Sequence, residues 1–257
     1  MIMEKVLEKA QPYLEGRTVQ DAVIGLSLIA VELDNGSIGV SYVLRKGLRG
    51  GCSVFPYGQQ LLGKDASGAA AWAVSGGDNL QRAIGTAVLA AASQGQTLPD
   101  SETAERPFGI ELRSSDIVGM IGNIAPVAEA IRPRVQEIYL FDEGKEKCGE
   151  SGAPLLSQEE QPRLLPRCDL VLLTGTTVIN GSVDGLLKLC DRAREVVMIG
   201  ASTPVFPDAF AGSGLTVLAG SWWRRKYKEE LFGKISLAGG MKDISGYALK
   251  KSVRVPA

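Results

Sequence analysis

Three short apolar runs, each cut off by a small polar turn, constrain this chain more than any other feature. The runs lie within residues 116–121, 170–173 and 195–200. The turns are Gly122-Asn123, Thr174-Gly175-Thr176-Thr177 and Gly200-Ala201-Ser202-Thr203-Pro204. An unbroken apolar run of this length fits a strand buried on both faces, as central parallel strands are. Residues 127–131 read as a short helix entered through Pro126, a residue suited to a first helical turn. After the second turn, Val183, Leu186, Leu187 and Cys190 share one helical face, with Asn180 or Ser182 as the cap. Further strands are expected at 137–142 and 214–219. Strands alternating with short helices predict a parallel, doubly wound sheet. In such a sheet the three turns fall on one edge, outside the carboxyl ends of the strands, where ligands bind. One such turn alone is equally an ordinary connection with a good cap. Three together make a rim of hydroxyl, amide and backbone N–H donors.

The first hundred residues read differently. An amphipathic helix over 3–15, ended near Pro12 and Gly16, precedes strand-like runs at 19–29 and 31–33. Asn35-Gly36 between apolar runs is a strong hairpin signal, with the return strand at 38–44. A helical piece at 59–62 and two Ala-rich helices, 66–74 and 80–93, follow, the last capped by Asp78 or Asn79. Small residues at Ala83, Thr86, Ala87 and Ala90 predict close helix packing. Residues 94–113 contain two prolines and no clear period, which places a linker there. The expected domains are 1–100 and 101–257. Residues 143–166 read as a polar loop with a short helix, and Trp222-Trp223 as the start of a solvated helix with buried indoles.

Composition narrows the chemistry. The 257 residues include no histidine. That removes Ser-His-Asp and Cys-His catalysis, His-ligated zinc and the commonest general base near neutral pH. The formal net charge of −1 gives no field favouring nucleic acid or an anionic membrane. No apolar stretch approaches the roughly 20 residues of a spanning helix, and no signal-peptide pattern is read at the N-terminus. Four scattered cysteines without CxxC spacing fit reduced thiols, so a cytoplasmic location is expected. Cys190 reads as core, and Cys52 as a thiol in a basic, glycine-rich segment of the kind that lowers a thiol pKa. No metal ligands are assigned and no cofactor is identified. The expected partner is a small molecule, with no nucleic acid and no membrane, and a homo-oligomer is left open.

The candidate site follows from the turns. Gly119 and Gly122 end one strand, and Asp142 ends the next about twenty residues later. In nucleoside sites, glycines admit the ligand and the acid takes a ribose hydroxyl. The spacing here is not GxGxxG, so no dinucleotide is implied. Asn123, Thr174, Thr176, Asn180, Ser202 and Pro204 complete the ligand-binding set. Arg45, Lys46 and Arg49, among Gly47, Gly50 and Gly51, are placed to neutralise an acidic group. With no histidine, Asp142 or Asp184 is the expected proton acceptor, with Arg49 as its cationic partner in catalysis.

At these residues the chain resembles DUF364, once a domain of unknown function and now labelled a heavy-metal chelation domain. The matching pieces are Val118-Gly119-Met120-Ile121-Gly122 with Pro126, residues 172–181, residues 195–204, and Gly239-Gly240. The Thr174-Gly175-Thr176 to Asn180-Gly181 piece is the most specific. Gly50-Gly51-Cys52 and the helix starting near Asn79 resemble the accompanying DUF4213 domain. The resemblance implies an α/β chain: an enolase-N-terminal-like α+β domain followed by a Rossmann-like parallel-sheet domain, with the site between them. It implies Gly119, Gly122, Asp142, Thr174, Thr176, Asn180, Ser202 and Pro204 as site residues, with Arg49 and Asn79 added from the first domain. Where family members often show Asn-Ala near the end of the second N-terminal helix, this chain has Ala90-Ala91-Ala92.

The implied activity is condensation or hydrolysis of a pterin-, flavin- or siderophore-like precursor, linked to heavy-metal chelation. The rival readings are a non-catalytic carrier of a metal–chelate complex and an S-adenosylmethionine-dependent methyltransferase. The last lacks the glycine-rich first loop expected of it.

Overall fold

A computed structural model describes residues 1–46, 48, 53–103, 106–142 and 155–256. The chain opens with α1 (Ile2–Leu14), which buries Ile2, Met3, Val6, Ala10 and Leu14. That spacing places one apolar stripe on the core. Pro12 sits inside this helix rather than ending it. An antiparallel meander follows, β1 (Val19–Ile24), β2 (Leu28–Leu33) and β3 (Ile38–Tyr42), in that order. The run 19–29 is thus two strands, parted at Gly25, where a Cβ would stand 2.3 Å from the Ile235 carbonyl oxygen. Gly36, at φ +81°, turns β2 into β3 at the expected hairpin.

Helices α2 (Ala66–Ala70), α3 (Trp72–Ser75) and α4 (Asn79–Ala92) pack behind the meander. Asp78 caps α4 by accepting from the Gln81 N–H at 2.8 Å. Gly39 of β3 lies so close to α4 that a Cβ there would meet the Ala87 carbonyl oxygen at 1.9 Å. The small residues of this helix therefore serve direct backbone-to-backbone packing.

The second unit comprises β4 (Ile117–Ile121), α5 (Ala125–Ile131), β5 (Glu137–Phe141), β6 (Leu155–Leu156), α6 (Gln161–Leu164), β7 (Leu170–Thr174), α7 (Val183–Leu187), β8 (Glu195–Ile199), β9 (Val217–Trp223), α8 (Lys228–Ser236), α9 (Met241–Ile244) and β10 (Ala248–Arg254). The strand order is β10-β9-β8-β7-β4-β5-β6, parallel except for β10. Numbered by appearance, the six parallel strands run 3-2-1-4-5-6, the doubly wound order, and that order reverses between β4 and β7. One expectation is corrected and one strand is added. Trp222 and Trp223 finish β9 rather than open a helix, because β10 pairs along it with Ala248 opposite Trp223. Strand β10 itself escaped sequence reading because its lysines mark a charged edge, with only Ser252 and Val253 buried. Among the described residues no helix is long and apolar enough to cross a membrane.

The first unit roofs the carboxyl edge of the second. The Ile2 N–H donates to Asp184 Oδ1 at 3.2 Å, the Tyr42 N–H to Ser202 Oγ at 2.9 Å, and Gln96 Nε2 to the Val205 carbonyl at 2.6 Å. All three acceptors follow β7 or β8. One apolar core joins the units, running from Val6 and Leu89 through Phe141 and Leu173 to Phe206. A charged clamp adds to it. Lys228 Nζ lies 2.8 Å from both Glu32 and Asp21, and those carboxylates raise its pKa.

Candidate functional site at the carboxyl edge of the sheet

The reversal point between β4 and β7 brings two of the predicted turns into contact. Gly122 takes φ +86°, and a Cβ there would lie 2.9 Å from Thr174 Cγ2. Only glycine meets both demands, the left-handed backbone and the close approach. The second and third turns also touch: a Cβ on Gly175 would lie 2.8 Å from Thr203 Oγ1 and 2.8 Å from the Ser202 carbonyl carbon. Gly122, Thr174-Gly175 and Ser202-Thr203 therefore form one continuous rim.

The hydroxyls of that rim are differently engaged. Thr176 Oγ1 donates to Thr174 Oγ1 at 3.2 Å, and Thr177 Oγ1 donates to the Thr174 carbonyl at 2.8 Å. These bonds wind residues 175–178 into a tight helical turn, so the polar turn reaches α7 only after a detour. Thr203 Oγ1 is buried and has no hydrogen-bond partner among the described residues. Gly200, at φ +118°, has open space where a Cβ would stand. On the β5 side, the Asn123 N–H donates to Asp142 Oδ2 at 2.6 Å, so the acid ending β5 grips the turn ending β4.

Other expected site residues have structural work. Gly119 is buried within β4, where Leu165 Cδ2 and Cys168 Sγ would lie 2.8 and 3.1 Å from its Cβ. It admits Leu165 and Cys168, which follow α6. Ser202 Oγ receives the Tyr42 N–H, Pro204 is buried with its carbonyl accepting from Phe206, and Asp184 holds the start of α1. Asn180 is exposed, and its Oδ1 accepts from the Ser182 N–H and hydroxyl. That local turn replaces the expected side-chain cap on α7. Arg49, with Gly47, Gly50, Gly51, Cys52 and Cys148, lies outside the described residues.

Arg82 was missed by the sequence reading. It is the one charged residue of α4, and a lone cation in so buried a helix is the signal that marks it. Its guanidinium donates to the Ile179 carbonyl at 2.8 Å, the Gly76 carbonyl at 2.9 Å and Asn79 Oδ1 at 2.8 Å. Asn79 in turn reaches the Lys46 carbonyl at 3.4 Å. The start of α4 is thereby fastened to the Thr174–Asn180 turn and to the Lys46 carbonyl.

Among the described residues no group of three or more Cys, Asp or Glu side chains is placed to hold a metal ion. Cys168 and Cys190 are buried and bonded to the Leu164 and Leu186 carbonyls. Burial pushes both thiols up to about 12, so each stays protonated at neutral pH and is a poor ligand for a soft metal. The described residues thus do not fit a bare heavy-metal centre.

A doubly wound sheet roofed at its carboxyl edge by an α+β unit defines a protein of the Rossmann-like α/β class. Residues 107–254 match the DUF364 family and residues 7–93 the DUF4213 family, both described as "Putative heavy-metal chelation". The chain belongs to this family. It is similar over 99% of its length to the structure of a DUF364 protein of unknown function from Pyrococcus horikoshii, with a TM-score of 0.77 and 19% identity, covering 100% of that chain. A second DUF364 structure, from Desulfitobacterium hafniense, is similar with a TM-score of 0.76 and 20% identity over 98% of each chain. At these identities the likeness is one of fold. An uncharacterised protein of Methanocaldococcus jannaschii is 27% identical over 145 residues, 55% of this chain. The chain spans about half, 54%, of that relative's length.

Proposed function

We propose that this protein binds a small, oxygen-rich chelating molecule of the pterin, flavin or siderophore kind at the rim formed by Gly122, Thr174, Thr176 and Thr203. The observation that carries this reading is the contact of Gly122 with Thr174 at the strand-order reversal, where open α/β sheets bind ligands. The unpartnered, buried Thr203 hydroxyl supports it, since such a group gains from a polar partner. A heavy metal would then arrive already chelated, as part of the ligand, consistent with the poor fit of the described side chains to a bare ion. On this reading the first unit closes the site through Arg82 and Asn79, and Arg49 supplies positive charge.

Turnover by condensation or hydrolysis is the finer reading, with Asp142 as the acid–base group at the rim. The carrier reading has its own support. Asp142 and Asp184 each already accept a backbone N–H, which suits holding a chelate better than moving protons.

The test is a thermal-shift screen of pterins, flavins and catecholates, each with and without Fe³⁺, on the wild-type chain and Thr176→Val. A ligand at about 100 times its Kd adds about 2.7 kcal/mol of stability. A shift lost in Thr176→Val supports the rim, and product formation then separates enzyme from carrier. A ligand that shifts both proteins equally removes the site from this rim.

A further inference from the structure

A second charged concavity lies on the α6 side of the sheet, at its β5–β6 end. Its volume is about 510 Å³, within the range of small-molecule pockets, about 300–1,000 Å³. Tyr139 of β5 and Leu156 of β6 line it, as does Glu137, the first residue of β5. Tyr139 and Glu137 fall two residues apart, so their side chains leave β5 on the same face.

Three guanidiniums border this floor: Arg132 before β5, Arg163 in α6 and Arg167 before β7. Arg163 is oriented by Glu160, whose Oε2 accepts from Arg163 Nε at 3.1 Å. Arg132 and Arg167 are exposed and have no ion pair among the described residues. Among the described residues Glu137 is the one carboxylate lining the concavity, and it acts on Tyr139: burial first, then Glu137, raises the phenol, while Arg167 opposes them. Planar guanidiniums lining one concavity with an aromatic and aliphatic floor suit carboxylate or phosphate groups carried on a compact body.

We infer that this concavity is a second ligand site, taking a small molecule with two or more carboxylate or phosphate groups. It is independent of the rim proposed above. Glu137 and Asp142 mark opposite ends of β5, roughly 16 Å apart at the rise of an extended strand.

Calorimetric titration of the full chain at low salt tests the site, with pyrophosphate in one arm and citrate in the other. At least one probe should bind, and Arg132→Ala/Arg167→Ala should weaken it at least about tenfold. Both arginines are exposed, so the melting temperature of the double variant should stay near that of wild type. Glu137→Gln should tighten binding, because it removes the charge that opposes the anion, and Thr176→Val should leave binding unchanged. Binding of pyrophosphate alone assigns phosphoryl ligands, and of citrate alone polycarboxylates. The inference is overturned if neither probe binds, if the double variant binds like wild type, or if Glu137→Gln weakens binding.

Discussion

Arg82 and Ile179, 97 residues apart, are joined by a 2.8 Å hydrogen bond from the guanidinium Nε to the backbone carbonyl. This bond fastens the helix of the first unit to the most distinctive turn of the second. Arg82→Ala strands the Gly76 and Ile179 carbonyls and should cost about 2–3 kcal/mol in urea unfolding. Arg82→Lys should recover little, since an ammonium cannot present the same fork of donors. Equal stability of Arg82→Lys and wild type would show that charge alone matters there.

Gly122→Ala combines a left-handed backbone with a 2.9 Å clash against Thr174 Cγ2, and should cost about 2 kcal/mol or more. Thr174→Ser removes that methyl group and should relieve part of the clash. A double-mutant cycle should therefore return a favourable coupling of about 0.5–1 kcal/mol. Strict additivity would mean that the two turns do not touch.

Gly39→Ala admits no such rescue. The atoms it would strike, the Ala87 carbonyl oxygen at 1.9 Å and the Ala91 nitrogen at 2.4 Å, belong to the backbone of α4. A loss of about 3 kcal/mol or more is expected, seen as a large fall in urea midpoint. A loss below about 1 kcal/mol would mean that β3 and α4 pack more loosely.

The two buried thiols make stability depend on alkaline pH. Cys168 and Cys190 titrate near 9 when exposed and are pushed up to about 12 in the fold. Below pH 9 both states hold the proton and the contribution is constant. Between about 9 and 12 the unfolded chain holds fewer protons, so stability falls as pH rises, on the order of 1 kcal/mol per thiol per pH unit. Under reducing conditions, Cys168→Ser/Cys190→Ser should show a shallower decline above pH 9, because serine does not titrate there. Identical slopes would mean that the thiols are accessible in the native state.

Local signals carried much of the architecture. The apolar run 170–173 became β7, Asn35-Gly36 turned a hairpin, and Asp78 capped α4, because each rests on neighbours within a few residues. Where the partner was distant, the reading failed. Trp222 and Trp223 became strand only through β10, 25 to 27 residues later, and the close approach of Leu165 to Gly119 was not legible from the residues around that glycine.

The candidate site divides in the same way. That small polar turns follow β4, β7 and β8 was fixed by residue type and order alone, since glycine, threonine and serine after an apolar run leave few alternatives. Which hydroxyls those turns offer was decided by the tertiary fold. Ser202 is taken by the Tyr42 N–H, the Thr203 hydroxyl is buried with no partner among the described residues, and Arg82 bridges to Ile179. A hydroxyl's partner depends on what lies across from it in space. Here that neighbour is often the first unit, folded down onto the carboxyl edge of the sheet.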